Sequence, residues 1–213
     1  MDEAKQIQTE CSKTHVLTVG TSARVDNLET RLEVEMDNIT VERCEKLLGV
    51  NIESNLNRHK TIAELRLKLK SRLAGLLKLR YVVPYNYLKI ITHGIFNSIL
   101  VYCLPLYGGC DKADLQSLQV LQNKAAQIVT KSPPRSERKV MYDRLDWLTV
   151  NQLVAYHTLL QIFKIRKSHQ PEYLFEILGR CNRNGNIVIT HTELSLAKKS
   201  FTFRGSELWN HQK

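Results

Sequence analysis

Residues 61–80 read TIAELRLKLKSRLAGLLKLR, and this stretch decides the fold. Apolar residues recur at every third or fourth position and form a stripe of Ile62, Leu65, Leu69, Leu73, Leu76 and Leu79. This spacing is typical of an amphipathic helix that buries one face. Thr61 and Glu64 fit a capping box at its start, and Pro84 should end it. The stretch therefore predicts a long helix with a leucine face in a core.

Two more apolar stripes follow this helix. The second consists of Leu88, Ile91, Ile95, Ile99 and Tyr102; the third, which Asp111 can cap, consists of Leu115, Leu118, Leu121, Ala125 and Ile128 or Val129. Short connections allow three such helices to bury their stripes against one another, so a compact three-helix bundle is expected. The adjacent prolines in residues 132–136 break the pattern. Further helices are expected at 137–145 and 150–167 and after Pro171, followed by a loosely held tail from Gly179.

Upstream of the long helix, three short runs have the composition of strands. They are residues 15–19, 32–36 and 47–52, and turn-prone residues separate them. The expected fold class is therefore α+β and mostly α: a small N-terminal antiparallel β-meander, then a thumb-like three-helix bundle and further C-terminal helices.

Charge is spread unevenly along the chain, whose formal net charge is +10. Residues 1–58 carry 7 Lys or Arg and 11 Asp or Glu, whereas residues 60–89 carry 8 basic residues and 1 acidic residue. A dense basic block is typical of surfaces that bind polyanions, because phosphate contacts dominate nucleic-acid affinity. It is equally compatible with a solvated helix face that binds nothing.

Other function classes find little support in the sequence. No apolar run reaches the roughly 18 residues needed to cross a bilayer, and no signal-peptide pattern is present, so an intracellular protein, nuclear or cytoplasmic and not secreted, is expected. Five scattered cysteines and seven histidines show no metal-ligand spacing, so no metal site is predicted. No glycine-rich phosphate loop or Gly-x-Ser-x-Gly elbow occurs.

Six segments, taken in order, resemble the C-terminal portion of non-LTR, jockey-like (LINE-type) retrotransposon reverse transcriptases. They are KTHVLTVGT (13–21), LLGVNIESNL (47–56), ILVYCLPLYG (99–108), LQVLQNKAAQIV (118–129), DRLDWLTV (143–150) and FTFRGSELWN (201–210). Together they extend over nearly the whole chain. The resemblance implies a remnant of the polymerase palm at 1–58, a thumb-like helical bundle at 59–131 and a helical connector at 132–213.

The resemblance also implies roles for individual residues. Lys13 falls at the family's palm lysine position, and Leu48, Gly49 and Val50 fall on its primer grip, where the primer backbone comes close. The thumb holds the template-primer duplex by its backbone, so the basic block becomes a predicted nucleic-acid surface. Its members are Lys60, Arg66, Lys68, Lys70, Arg72, Lys78 and Arg80. The expected partner is an RNA-DNA hybrid or duplex RNA, bound independently of sequence.

Catalysis by this chain alone is not expected. The two-metal polymerase reaction needs clustered aspartates to hold Mg²⁺, and the chain has no Asp-Asp pair. The resemblance therefore implies a fragment of an RNA-directed DNA polymerase that has no cofactor of its own and lacks the upstream fingers and first part of the palm. Two alternatives remain: a helical module that docks on an acidic protein, and a non-functional relic of a retroelement.

Overall fold

The computed structural model describes residues 15–20, 40–133, 135–189 and 191–211. The chain divides into two compact units, Met1–Lys60 and Thr61–Lys213. The described part is mostly helical, with a small antiparallel sheet ahead of the helices. This confirms the fold class expected from the sequence. None of the helices that the structure describes is both long and apolar enough to span a membrane.

The described strands form two separate pairs. They are β1 (His15–Leu17), β2 (Thr40–Glu42), β3 (Cys44–Leu47) and β4 (Val50–Glu53). Strands β3 and β4 form an antiparallel hairpin, whereas β1 pairs with β2 in parallel. The first predicted strand thus has a parallel neighbour, unlike a strand of an antiparallel meander. The second predicted strand, at 32–36, lies outside the described residues.

The apolar run at 47–52 is the tip of the hairpin, so its prediction as one continuous strand was wrong. Leu48 and Gly49 form a two-residue turn with φ of 48° and 82°. Positive φ at both central positions is what a tight hairpin turn requires, and glycine adopts it without steric cost. The turn chemistry of Gly49 therefore outweighs the apolar character of the run, and Leu48 is left 81% exposed.

The helices follow one another closely from residue 59 to residue 178, with two more near the C-terminus. They are α1 (His59–Leu79), α2 (Tyr85–Thr92), α3 (Ser98–Val101), α4 (Leu104–Tyr107), α5 (Lys112–Thr130), α6 (Arg138–Leu145), α7 (Val150–Ser168), α8 (Glu172–Leu178), α9 (Ser195–Lys198) and α10 (Phe201–His211). Helix α1 begins two residues before Thr61, which is buried within its first turn. The predicted capping box at Thr61 and Glu64 was therefore misplaced, although the helix itself is confirmed.

A π-helical turn, His93–Asn97, connects α2 to α3 and changes which residues are buried. The fully buried positions here are Leu88, Thr92, Phe96, Leu100 and Leu104, each four residues after the last, and Asn97 is buried beside Phe96. The predicted stripe had Ile95 and Tyr102 inside, but both are exposed. A spacing of four is longer than the 3.6-residue turn of an α-helix, and the wider π turn absorbs the difference.

Two hydrophobic clusters stabilise the second unit. The larger takes in the leucine stripe of α1 and buried residues of α2 to α7 as far as Val154. The smaller is built around Ile162, Ile165, Leu178 and Ile187, with Trp209 packed against it.

A true capping box starts α7, where Thr149 and Gln152 bond to each other's backbone N–H groups.

Part of the region after Gly179, where the composition predicts a loosely held tail, packs against earlier helices. Helix α10 packs on α7 and α8. Gly205 permits this approach, because a Cβ atom there would lie 2.5 Å from Ile162 Cδ1. Asn210 binds both backbone groups of Ile187, accepting from its N–H at 2.8 Å and donating to its carbonyl at 3.0 Å.

Candidate nucleic-acid interface

Helix α1 separates its apolar and cationic residues as the sequence predicts. Ile62, Leu65, Leu69, Leu73 and Leu76 are buried in the larger core cluster, and Leu69 and Leu76 are fully inaccessible to solvent. At about 25 cal/mol per Å² of buried apolar surface, a stripe of five such side chains contributes on the order of 10 kcal/mol, before the cost of ordering the chain. The core therefore fixes the rotation of the helix, and with it the direction of every cation it carries.

The cations of α1 form two flanks and an outer ridge. With about 100° of rotation per residue, Arg66 and Lys70 lie on one side of the leucine stripe and Lys68 and Arg72 lie on the other. Lys60 and Lys78 lie on the ridge opposite the stripe. Six of the predicted residues thus share the surface of one helix, but they surround it and do not form a single narrow face. Each flank is one i, i+4 pair.

The cations on both flanks have no ion-pair partner in the part of the chain that the structure describes. Among the residues that the structure describes, no ion pair involves Arg66, Lys68, Lys70, Arg72 or Lys78. Glu64 is the only acidic residue in α1. Like charges four residues apart on a helix repel one another by a few tenths of a kcal/mol. These residues therefore contribute little to folding, and their charges remain available to an anion.

Arg80, the last predicted cation, follows the end of α1 and lines a groove of about 630 Å³. Lys124 of α5 and Lys131, which follows α5, line the same groove. Neither lysine was among the predicted site residues. In the sequence, the one indication for Lys124 was its position in the predicted helix, where helical spacing leaves it exposed while its neighbours Asn123 and Ala125 are buried. Ala74 and Leu77 of α1 also line the groove, and they continue the flank of Arg66 and Lys70 along the helix. We call Arg66 and Lys70 the groove-side flank and Lys68 and Arg72 the far flank.

The primer-grip-like segment occupies the hairpin tip described above. Leu48 and Gly49 are exposed at the turn and Val50 is buried at the start of β4. The exposed backbone of this turn leaves room for another backbone to approach closely, as the predicted primer-grip role requires. Lys13, the residue at the palm lysine position, lies outside the described residues.

Three polar residues of LQVLQNKAAQIV, Gln119, Gln122 and Asn123, belong to a largely buried network. Gln119 Nε2 donates to the Tyr142 hydroxyl at 2.6 Å and lies 3.0 Å from Asn123 Oδ1. The Tyr142 hydroxyl in turn lies 2.9 Å from Asn123 Oδ1 and 3.1 Å from Gln122 Oε1. Gln122 Nε2 donates to the carbonyl of Leu148 at 2.9 Å. The backbone N–H of Val150 donates to Gln119 Oε1 at 2.8 Å. The network therefore joins α5 to α6 and to the start of α7.

Burial raises the pKa of Tyr142 to about 12, since the ionised phenolate would lose its hydration. The hydrogen bond from Gln119 acts in the opposite direction but is the smaller effect. At neutral pH the hydroxyl is therefore protonated and serves as both acceptor and donor in the network. Its partners are all within the protein, so Tyr142 is a structural residue.

Trp147, Trp209 and Arg204, from three of the motifs, also have structural roles. Trp147 packs against the larger cluster, edge-on to Tyr142, and Trp209 packs against the smaller one with the Arg166 guanidinium over its ring. Both tryptophans are therefore packing anchors. Arg204 of FTFRGSELWN donates to the carbonyl of Pro105, in ILVYCLPLYG, at 3.0 Å. Segments about a hundred residues apart in sequence thus meet in the fold.

Among known proteins, no protein-family model, no curated protein and no solved structure matches this chain.

Proposed function

We propose that this chain is a fragment of a non-LTR retrotransposon reverse transcriptase and that α1 binds nucleic acid by its backbone, without regard to sequence. The observation that carries this proposal is the set of unpaired cations on α1. Five positive charges lie on one rigid helix, and no described acidic side chain neutralises them. A helix that needed these residues only for solubility would be expected to mix both signs of charge along its exposed face.

The chemistry of the flanks favours phosphate over bases as the contacted group. Lysine and arginine contact phosphate oxygens, and such contacts position a duplex without reading its sequence. No Phe, Tyr or Trp occurs within α1 on which an unpaired base could stack. A double-stranded ligand, either an RNA-DNA hybrid or duplex RNA, is therefore the preferred partner.

The two flanks lie on opposite sides of the leucine stripe, so one duplex does not contact both equally. The groove-side flank has further cations nearby in Arg80, Lys124 and Lys131, whereas the far flank has none among the groove residues. Binding through the groove-side flank would neutralise more phosphates. It would therefore give the steeper dependence on salt, because each phosphate neutralised adds about one to the slope of log affinity against log salt.

Catalysis is not part of the proposal for this chain alone. The sequence has no Asp-Asp pair to hold two metal ions. The role proposed for α1 is to hold a template-primer duplex, as the thumb of the parent polymerase would. The polymerase reaction itself belongs to the catalytic part of that parent.

A filter-binding titration with RNA-DNA hybrid, duplex RNA and single-stranded RNA at two salt concentrations tests the proposal. Two charge-reversal variants, Arg66→Glu with Lys70→Glu and Lys68→Glu with Arg72→Glu, separate the flanks. The matched control is Lys164→Glu with Lys167→Glu, which makes the same change of charge on α7. We expect at least one flank variant to lose about tenfold or more in duplex affinity and to reduce the salt slope by about 2.

The control should lose much less than the affected flank, since its lysines lie on another helix. Equal losses in all three variants would mean that only the net charge matters and would contradict a site on α1. Absence of binding by the unaltered chain would remove the proposed function altogether. Circular dichroism of each variant confirms that the helices remain.

A further inference from the structure

The groove beside Arg80 differs from the flanks in its chemistry. It lies between the C-terminal ends of α1 and α5 and has a volume of about 630 Å³. Its apolar members are Leu73, Ala74, Leu77, Ile128 and Pro133. Its cations are Arg80, Lys124 and Lys131, and the remaining lining residues, Gln127 and Ser132, are uncharged. The groove therefore combines a mainly aliphatic floor with a purely positive rim.

The net charge of the rim remains positive when the partial negative charges of the two helix C-termini are included. The carbonyl ends of two helices contribute roughly half a negative charge each, which three full positive charges exceed. Within the described part of the chain, no ion pair involves Arg80, Lys124 or Lys131. The potential at the groove is therefore positive, and an acidic ligand is complementary to it.

The floor and its surroundings retain apolar surface that folding does not cover. Leu77 is 47% exposed, although it belongs to a helix with its own buried stripe. Tyr81 and Val82, which follow Arg80 in the chain, are 79% and 82% exposed. Single exposed apolar residues are ordinary, but a group of them beside a concave surface is typical of sites that bind a partner.

We infer that this groove binds an acidic amphipathic helix of a partner protein. Such a helix places apolar side chains at i, i+3 or i+4, and i+7 into an aliphatic groove, while carboxylates beside that stripe meet the cationic rim. Nucleic acid fits the groove less well, because a phosphate backbone gains nothing from Leu73, Leu77 and Ile128. No aromatic ring lines the groove to stack on a base. This inference goes beyond the proposed function and does not depend on it, but a helix in the groove would compete with a bound duplex for Arg80, Lys124 and Lys131.

A labelled synthetic peptide tests the inference directly on the full chain. The probe is a blocked helical peptide of about five turns, with leucines at i, i+3, i+4 and i+7 and glutamates on the flanks of that stripe. Two comparison peptides have the same composition in scrambled order, which removes the apolar stripe, and the same stripe with lysine replacing glutamate. Fluorescence anisotropy should show binding of the acidic amphipathic peptide alone. Equal binding of the scrambled peptide would overturn the inference, because charge alone would then suffice.

Two variants of α1 separate the groove from the rest of the helix. Leu77→Gln removes an apolar contact of the groove without changing the charge, and the matched control is Leu67→Gln, at a position that is 67% exposed and does not line the groove. We expect Leu77→Gln to weaken peptide binding about tenfold, as for a central interface contact, and Leu67→Gln to change it less than twofold. If the two variants weaken binding equally, the peptide does not occupy this groove.

A second pair of variants keeps the test decisive if Leu77→Gln disturbs the helix. Ala74 is exposed and lines the groove, so Ala74→Trp should fill it, whereas Ala63→Trp, on an exposed part of the same helix, should not. We expect peptide binding to be lost in the first variant and kept in the second. The duplex titration is repeated on Leu77→Gln: loss of duplex affinity with peptide affinity unchanged would assign the groove to nucleic acid and overturn the inference.

Discussion

Two sets of polar residues in the same unit differ in how folding uses them. Gln119, Gln122, Asn123 and Tyr142 are bound to one another and to backbone groups of the segment that leads into α7. The cations on the two flanks of α1 have no ion-pair partner in the described chain. The first set is needed for folding, because each buried polar group without a partner would lower the stability by about 1–3 kcal/mol. The second set costs the fold little and is therefore the better candidate for an external ligand.

The largest effect expected from this contrast is on stability and comes from the buried network. Gln122 is 1% exposed, and Gln122→Leu removes the side-chain donor to the Leu148 carbonyl and one of the two oxygens to which the Tyr142 hydroxyl can donate. We expect a loss of about 1–3 kcal/mol of unfolding free energy, measured by urea denaturation. The matched control is Gln116→Leu, at an exposed position on the same helix, and it should change the stability by less than about 0.5 kcal/mol.

The duplex affinity of the same variant tests whether the buried network takes part in binding. The Gln122→Leu variant, under conditions in which it remains folded, should bind duplex as the unaltered chain does, since Gln122 carries no charge and is buried. A loss of affinity without a loss of stability would place the network in the binding surface and would break the contrast.

Alkaline pH should produce the next largest effect. The folded chain holds the Tyr142 proton to about pH 12, whereas an unfolded tyrosine releases it near 10.0. The unfolded state is therefore the first to deprotonate, so this contribution to stability is complete below pH 10 and is lost as the pH rises toward 12. Chemical denaturation across this interval should give a falling stability with a shallower slope in Tyr142→Phe. An identical slope in both proteins would mean that Tyr142 titrates normally.

The smallest effect expected is a gain in stability on the groove-side flank. Arg66 and Lys70 are like charges one helical turn apart, so Lys70→Gln should leave stability unchanged or raise it by up to about 0.5 kcal/mol at low salt. High salt should abolish the gain, because it screens exposed charges. A clear loss of stability would show that Lys70 contributes to folding. Lys70 would then no longer belong with the flank cations that the fold leaves available to a ligand.

Sequence reasoning succeeded where a local pattern and the fold agree. The leucine spacing at 61–80 predicted α1 and its buried face, and the prolines at 133, 134 and 171 marked helix boundaries. It failed where a longer-range constraint decided the outcome. In the second predicted stripe, Ile95 and Tyr102 were misassigned because a π turn shifted the register, whereas Leu88, Ile91 and Ile99 pack in the core as predicted. Nothing in the local apolar spacing indicates such a turn.

The candidate sites show the same division. Six of the cations could be assigned to one helix from the sequence alone, because helical rotation per residue is fixed. Lys124 and Lys131 could not be joined to Arg80 in this way, because α5 is more than thirty residues further along the chain. The buried network was also missed, since Gln119 and Tyr142 are separated by another helix boundary and a proline break.

By itself, the sequence determined that this chain is mostly helical, that a leucine stripe anchors α1 and that positive charge is concentrated on that helix. Each of these follows from composition and a period of 3.6 residues, which are local properties. The tertiary structure decided that a groove with an aliphatic floor and a cationic rim lies beside one flank of α1, and that Gln119 and Gln122 of α5 are structural. These outcomes depend on which helices pack together, and packing is fixed only when distant parts of the chain bury their apolar faces against one another.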